Sequence, residues 1–354
     1  MPLTIDQLDT PCVIVDLDRA EANLQRAQDY ADAHGLKLRP HIKTHKLPRF
    51  AKRQVALGAV GITCQKLGEA EVMADAGLDD IFLPYNIMGT EKLHRLRRLN
   101  ERLTLAVTAD NAPTIEGYAA TFAEAGKPLR VLVECDTGMG RCGVQSPEEA
   151  VALAALIAGS RGLVFEGIMT YPPAGSPGPA RERLGAIIAA LAEAGLPPAI
   201  ISTGGTPDPW SAHETRAATE YRPGTYIYLD RYQVAKGVGT LEDCALTVLT
   251  TVVSRPTEDR AIIDAGSKAL TSDLLGMTGY GLVLGYPDAV VTGLSEEHGT
   301  IDLSASERKP EIGERLRILP NHACPVSNLF DRVHLVAGDH VVATESVAAR
   351  GRVD

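Results

Sequence analysis

Over the first two thirds of the chain, eight short runs rich in β-branched residues alternate with longer segments rich in Ala, Leu, Glu and Arg. The runs are 36–43, 61–64, 80–85, 103–108, 130–136, 163–171, 199–203 and 221–230. Helix-like stretches such as 47–57, 68–76, 90–100, 112–125, 147–158 and 180–194 lie between them. A strand, a helix and a further strand of one sheet make a parallel βαβ unit. Eight such units in roughly 200 residues point to an α/β fold of the (β/α)8, TIM-like barrel type, with an open doubly wound sheet as the alternative.

The texture changes after about Gly237. The runs 248–253, 261–264, 281–283, 316–319 and 333–342 are short and β-like, and turn residues such as Gly276, Gly279, Gly299 and Gly338 separate them. Helical periodicity is scarce, so a mostly β C-terminal domain is expected. The expected division is a barrel over 18–236 and a β domain over 237–354, with residues 1–17 contributing a strand to the latter. The Pro/Gly-rich stretch 172–179 is expected to be a loop.

Composition narrows the partners. The chain has 354 residues, 35 Lys+Arg against 45 Asp+Glu, and a formal net charge of −10. Without a basic surplus, neither a nucleic acid nor an anionic membrane surface is an expected partner. No apolar stretch approaches the ~20 residues that span a bilayer. The N-terminus lacks a basic start followed by an apolar run. The six cysteines are scattered and none forms Cys-x-x-Cys, so free thiols and a cytoplasmic location are expected.

The densest chemistry is Arg39-Pro40-His41-Ile42-Lys43-Thr44-His45-Lys46, where a strand pattern meets a helix pattern. Barrel active sites sit at that junction. Strand alternation would turn Arg39, His41 and Lys43 inward together. A lysine in a barrel mouth is desolvated, which favours the neutral amine that attacks an aldehyde. The plain alternative is a solvated basic loop. Asp136–Gly143 follows an apolar strand, and its three glycines permit close approach to a ligand, with Arg141 as the cation there. A glycine-rich turn with a surface Arg explains it equally well. Thr203-Gly204-Gly205-Thr206 and Gly224-Thr225-Tyr226 fall on the seventh and eighth strand runs, where barrels commonly hold a phosphate. In an extended strand, His322 and Cys324 would point the same way, and imidazole with thiolate could chelate one ion. By itself a His-x-Cys is usually accidental.

In this order, and together with Thr10–Asp16, Gly61–Ala70 and the rest of His322–Asn328, these motifs resemble the D-threonine aldolase / D-serine dehydratase family. These are alanine-racemase-like, fold type III pyridoxal-phosphate enzymes, and the resemblance spans nearly the whole chain. It implies a barrel followed by a β domain, with the cofactor on Lys43; Lys43 and His41 are the expected catalytic residues. It implies Arg141 at the cofactor's phenolate oxygen, Tyr171 near the pyridine ring, and Thr203, Gly204, Gly205, Thr206, Gly224, Thr225 and Tyr226 around the phosphate. Relatives often carry a His directly after this Tyr; here Pro172 stands there, which leaves the base near the substrate hydroxyl unassigned. His322 and Cys324 are implied to bind a divalent ion. Nitrogen with sulfur favours Zn²⁺, with Mn²⁺ or Mg²⁺ as alternatives. Aldolase members often have His-x-Asp at that position and dehydratase members His-x-Cys.

The implied activity is D-3-hydroxy amino acid aldolase, giving glycine and an aldehyde. Dehydration to a 2-oxo acid and ammonia is the first alternative. A racemase would need a second base facing Lys43, and no residue is assigned to it. A non-catalytic pyridoxal-phosphate carrier would have no use for a β domain with a metal pair. A homodimer is implied.

Overall fold

The computed structural model describes residues 3–175 and 177–354. Met1 and Pro2, at the start of the segment expected to add a strand, and Ser176, in the expected loop, lie outside the described residues. Contacts group the chain into two compact units. One holds 27–43, 48–224 and 352–354; the other holds the described residues through Arg26, 44–47 and 225–351. This grouping differs from a boundary at 236/237. Asn23 Nδ2 donates to the carbonyls of Ile227 and Asp243 at 3.1 and 2.8 Å, and Arg231 N donates to Pro320 O at 3.1 Å. Those bonds tie 18–26 and 225–236 to the β-rich unit.

The first strand, β1 (Cys12–Asp16), belongs to the β-rich unit. The next eight are β2 (Lys37–Leu38), β3 (Ile62–Thr63), β4 (Asp80–Leu83), β5 (Thr104–Ala109), β6 (Leu129–Cys135), β7 (Leu163–Thr170), β8 (Ile200–Thr203) and β9 (Glu220–Tyr221). They form one parallel sheet in the order β2-β9-β8-β7-β6-β5-β4-β3. A parallel bridge between His41 and Thr63, and a bond from Val60 N to Leu38 O, join β2 to β3. The ring therefore closes, and the open-sheet alternative falls. The helices up to β8 are α1 (Leu17–Ala33), α2 (Pro48–Leu57), α3 (Leu67–Asp75), α4 (Thr90–Arg102), α5 (Ala112–Phe122), α6 (Pro147–Gly159) and α7 (Pro177–Glu193). Helix α7 begins inside the stretch expected to be a loop, because Pro177 sits in the first turn, where no N–H is needed.

Alternation along the strands stacks the barrel interior in three layers. At the amino ends, Arg39 donates to Glu220 through Nε and Nη2 at 2.9 and 3.0 Å and pairs with Asp80, while Arg130 pairs with Glu166 at 2.6 Å. Above lie Phe82, Ala106, Leu132 and Met169, with Ile200 against them. Two residues further along each strand come Thr108, Glu134, Ser202 and, above Glu220, Arg222. Arg39 is thus a floor residue. Arg39→Met should destabilise the protein by about 3–5 kcal/mol, since it strands a buried carboxylate. A melting temperature within a degree or two of wild type would show the floor ion pair to be dispensable.

In the β-rich unit, β10 (Leu246–Thr257), β11 (Arg260–Ile263), β12 (Leu282–Val283), β13 (Val290–Leu294), β14 (Gly299–Asp302), β15 (Arg315–Leu319), β16 (Arg332–Ala337) and β17 (His340–Ser346) complete a nine-stranded sheet with β1. Its order is β11-β14-β13-β12-β15-β10-β1-β16-β17. The hairpin β13–β14 escaped the sequence reading, and the expected run 333–342 is two strands folded at Gly338, φ +57°. Among the described residues, no helix is long and apolar enough to cross a membrane.

Candidate active site

The expected strand 36–43 ends early. Pairing stops at His41, and Ile42–Thr44 wind into a 3-10 turn. Pro40 has no N–H for a ladder, and Lys43 N donates to His41 Nδ1 at 3.4 Å. Lys43 is therefore carried half-buried by a tight turn, not by strand alternation. Gln65 Nε2 donates to Pro84 O at 3.3 Å, which turns Oε1 to accept from His41 Nε2 at 3.0 Å. Through these two bonds His41 braces the turn.

Further round the barrel, the Arg141 guanidinium stands 5.0 Å from the centre of the Tyr171 ring. A Cβ on Gly205, φ +157°, would come within 2.9 Å of Tyr171 Cε2, so only glycine lets the loop after β8 lie against that ring. Thr206 Oγ1 accepts from Gly224 N at 3.0 Å, which ties that loop to the one after β9. Thr203, Gly204, Gly205 and Thr206, with Gly224 bracing Thr206, offer amides and hydroxyls and no carboxylate. That donor set fits an anionic phosphate. A small cleft opens beside them, with Tyr171, Pro172, Pro173, Gly205, Asp208 and Tyr221 among its walls.

The Asp136–Gly143 loop is pinned from both ends. Asp136 accepts from Gly138 N and Gly140 N at 2.8 and 3.2 Å. Desolvation raises its pKa, but those amides outweigh burial and leave it lowered. Gly143 N donates to Asp110 Oδ2 at 2.9 Å. Two ionisable groups here escaped the sequence reading. Burial lowers Arg222 to about 10, and its guanidinium donates to Ser202 Oγ and Thr170 O at 2.5 and 2.9 Å. Burial raises Glu134 to about 7, against the pull of Arg141. A charge at an inward position of an apolar strand was the available signal.

In the β-rich unit, Thr225 and Tyr226 lie in a 3-10 turn, Thr225–Ile227, not on the eighth strand, which ends at Tyr221. His322 and Cys324 do not lie on an extended strand either. His322 caps a short helix, Ala323–Leu329, and Cys324 is in its first turn. Asp230 Oδ2 accepts from Ala323 N at 2.9 Å and starts that helix. The two side chains still meet. His322 Nδ1 is 2.8 Å from Asp273 Oδ2, while the hydroxyls of Thr44 and Thr225 reach Cys324 Sγ at 3.2 and 3.5 Å. Burial opposes the imidazolium, yet the Cys324 sulfur and Asp273 outweigh it and raise His322 to about 9. Among the described residues no set of three or more His, Cys, Asp and Glu forms a metal cage. An imidazole backed by a carboxylate and a thiol backed by hydroxyls nevertheless fit a metal with open positions. Glu296 and Glu297 pair with Lys268 at the surface.

Comparison with known proteins bears on the family and the fold. Residues 15–232 match "Alanine racemase, N-terminal domain", and residues 245–336 match "Putative serine dehydratase domain". The chain is 36% identical to a D-threonine aldolase of Arthrobacter sp, over 98% of this chain and 93% of the relative. It is 35% identical to a D-threo-3-hydroxyaspartate dehydratase of Delftia sp., over 96% and 97%. The crystal structure of the Filomicrobium marinum D-threonine aldolase superposes with a TM-score of 0.91 at 33% identity, covering 100% of this chain and 99% of that one. A closed barrel ending in the Lys43 turn, a β domain with a paired imidazole and thiol, and full-length similarity of this degree place the chain in the D-threonine aldolase / D-serine dehydratase family of alanine-racemase-like pyridoxal-phosphate enzymes.

Proposed function

We propose that this protein is a lyase dependent on pyridoxal 5'-phosphate and a divalent metal ion, which cleaves D-3-hydroxy amino acids to glycine and an aldehyde. One observation carries the reading: the turn 42–44 holds an amine at the carboxyl end of β2, where barrels of this kind do chemistry. When bound, pyridoxal phosphate supplies an electron sink for charge developing at the substrate Cα. Lys43 bonds the cofactor, and His41 sets the turn from which Lys43 reaches it. Arg141 and Tyr171 bound the ring. Thr203, Gly204, Gly205, Thr206, Gly224, Thr225 and Tyr226 make up the phosphate region.

His322 and Cys324 hold the metal, Zn²⁺ by their chemistry, with Mn²⁺ or Mg²⁺ as alternatives. A bound ion lowers the pKa of the substrate hydroxyl. Asp273 accepts a hydrogen bond from His322 Nδ1–H, which leaves the other nitrogen for the ion. Asp273→Asn should weaken metal affinity about 10–100-fold, read by competition with a chelating dye. Unaltered affinity would mean that this carboxylate does not orient the ligand.

A second reading, elimination to a 2-oxo acid and ammonia, is favoured by the thiol of Cys324. A product screen over D-3-hydroxy amino acids, with and without Zn²⁺ or Mn²⁺, separates them. Glycine with an aldehyde supports the aldolase, whereas a 2-oxo acid with ammonia replaces it by the dehydratase. The proposed working form is a homodimer, so light scattering should give the mass of two chains.

A further inference from the structure

Directly before His322 stands Asn321, a residue that the reading above leaves unused. It follows β15 and Pro320 and is 2% exposed. A buried carboxamide needs partners on its nitrogen and on its oxygen. The backbone here is fixed from the helical turn Arg231–Ala235: Pro320 O accepts from Arg231 N at 3.1 Å, and Asn321 O accepts from Tyr232 N at 3.3 Å. Asn321 Oδ1 accepts from Arg231 Nη1 at 3.1 Å. A guanidinium only donates, so the amide oxygen faces Arg231 and the nitrogen faces away. Asn321 Nδ2 then donates to two carbonyls, Asp273 O at 3.2 Å and Gly279 O at 2.9 Å.

Those two carbonyls are the two ends of one surface loop, most of which is exposed. Within it, Met277 N donates to Leu274 O at 2.9 Å, and Arg231 Nη1 reaches Thr278 O at 2.7 Å. Just ahead of it, Asp273 N donates to Thr271 Oγ1 at 3.0 Å. Thr271 holds φ +66°, a conformation that a β-branched residue adopts only where its surroundings impose it. The Asp273 side chain is 45% exposed and still stands 2.8 Å from His322 Nδ1. Pairings at such exposure are easily lost to water unless the backbone that carries them is held. Asn321 holds it, and does so from the residue next to His322, so carboxylate and imidazole share one frame.

We propose that Asn321 is a positioning residue: its carboxamide clamps both ends of the 273–279 loop and thereby keeps the Asp273 carboxylate against His322. The consequence for metal binding rests on the role given to His322 above; the clamp itself does not.

Asn321→Leu, close in size and uncharged, removes the donor and tests the clamp in the full-length protein stripped of metal. Hydrogen exchange over residues 273–279 should quicken about tenfold, as expected when two hydrogen bonds are lost. Zn²⁺ affinity, read by competition with a chelating dye, should fall about tenfold, the low end for an outer partner of a metal ligand. A merely structural residue would cost the same in any background. If Asn321 acts through Asp273, Asn321→Leu should cost less than about twofold once Asp273→Asn is in place. Asn321→Ala replaces Asn321→Leu in the cycle should the leucine variant not fold. Exchange that stays as slow as in wild type, an unchanged affinity, or an equal loss in both backgrounds overturns the proposal. A wild type that binds no Zn²⁺ defeats the functional reading instead, and the exchange result alone then decides the clamp.

Discussion

Lys43→Ala should give a folded protein that no longer carries covalently attached pyridoxal phosphate, with turnover down by at least about three orders of magnitude. The amine is half-buried in a 3-10 turn whose backbone is set by His41, so removing the side chain leaves the turn standing. This distinguishes it from Arg39, whose loss strands a carboxylate. The rival anchor in the motif is Lys46. Its Nζ donates to Asn328 Oδ1 at 2.9 Å and to Ala349 O at 3.4 Å, and it is buried with φ +56°. Those bonds make Lys46 a structural lysine. Reductive trapping followed by peptide mapping reads the result directly. A label on Lys46 in wild type, or a cofactor band that survives in Lys43→Ala, would move the anchor and undo the proposed site.

The second large effect belongs to the metal pair. His322→Ala and Cys324→Ala should each keep the cofactor band and lose bound metal, with turnover falling about a thousandfold. Chelator treatment of the wild type should do the same, and Zn²⁺ should restore it. Turnover that survives metal removal would eliminate the role given to both residues. Cys324→Asp sharpens the test. Exchanging sulfur for oxygen should shift preference from Zn²⁺ toward Mn²⁺ or Mg²⁺. If it also raises the ratio of aldehyde to 2-oxo acid, the thiol is what favours elimination; an unchanged ratio places that choice elsewhere.

The barrel was legible because each of its strands is a short β-branched run set between helical segments, and periodicity reports that pattern wherever one face is buried. The hairpin β13–β14 was hidden because its strands are short and half-exposed, so no run stands out against the turns. The helix at 323–329 was hidden because its start depends on a carboxylate far away in sequence, Asp230. The early end of β2 could have been read from Pro40, which offers no N–H to a ladder.

What the residues alone decided is the order of the barrel's strands and helices, a lysine just past its first strand and the glycines in the loops after its last two strands. These rest on local backbone preference and on functional groups that keep their chemistry in any fold. Tertiary structure alone decided that Arg39 serves the floor, that Asp273 stands behind His322, and that burial pushes the Glu134 carboxyl up. Each of those depends on desolvation and on partners distant in sequence, and burial comes into being only when the ring of strands closes.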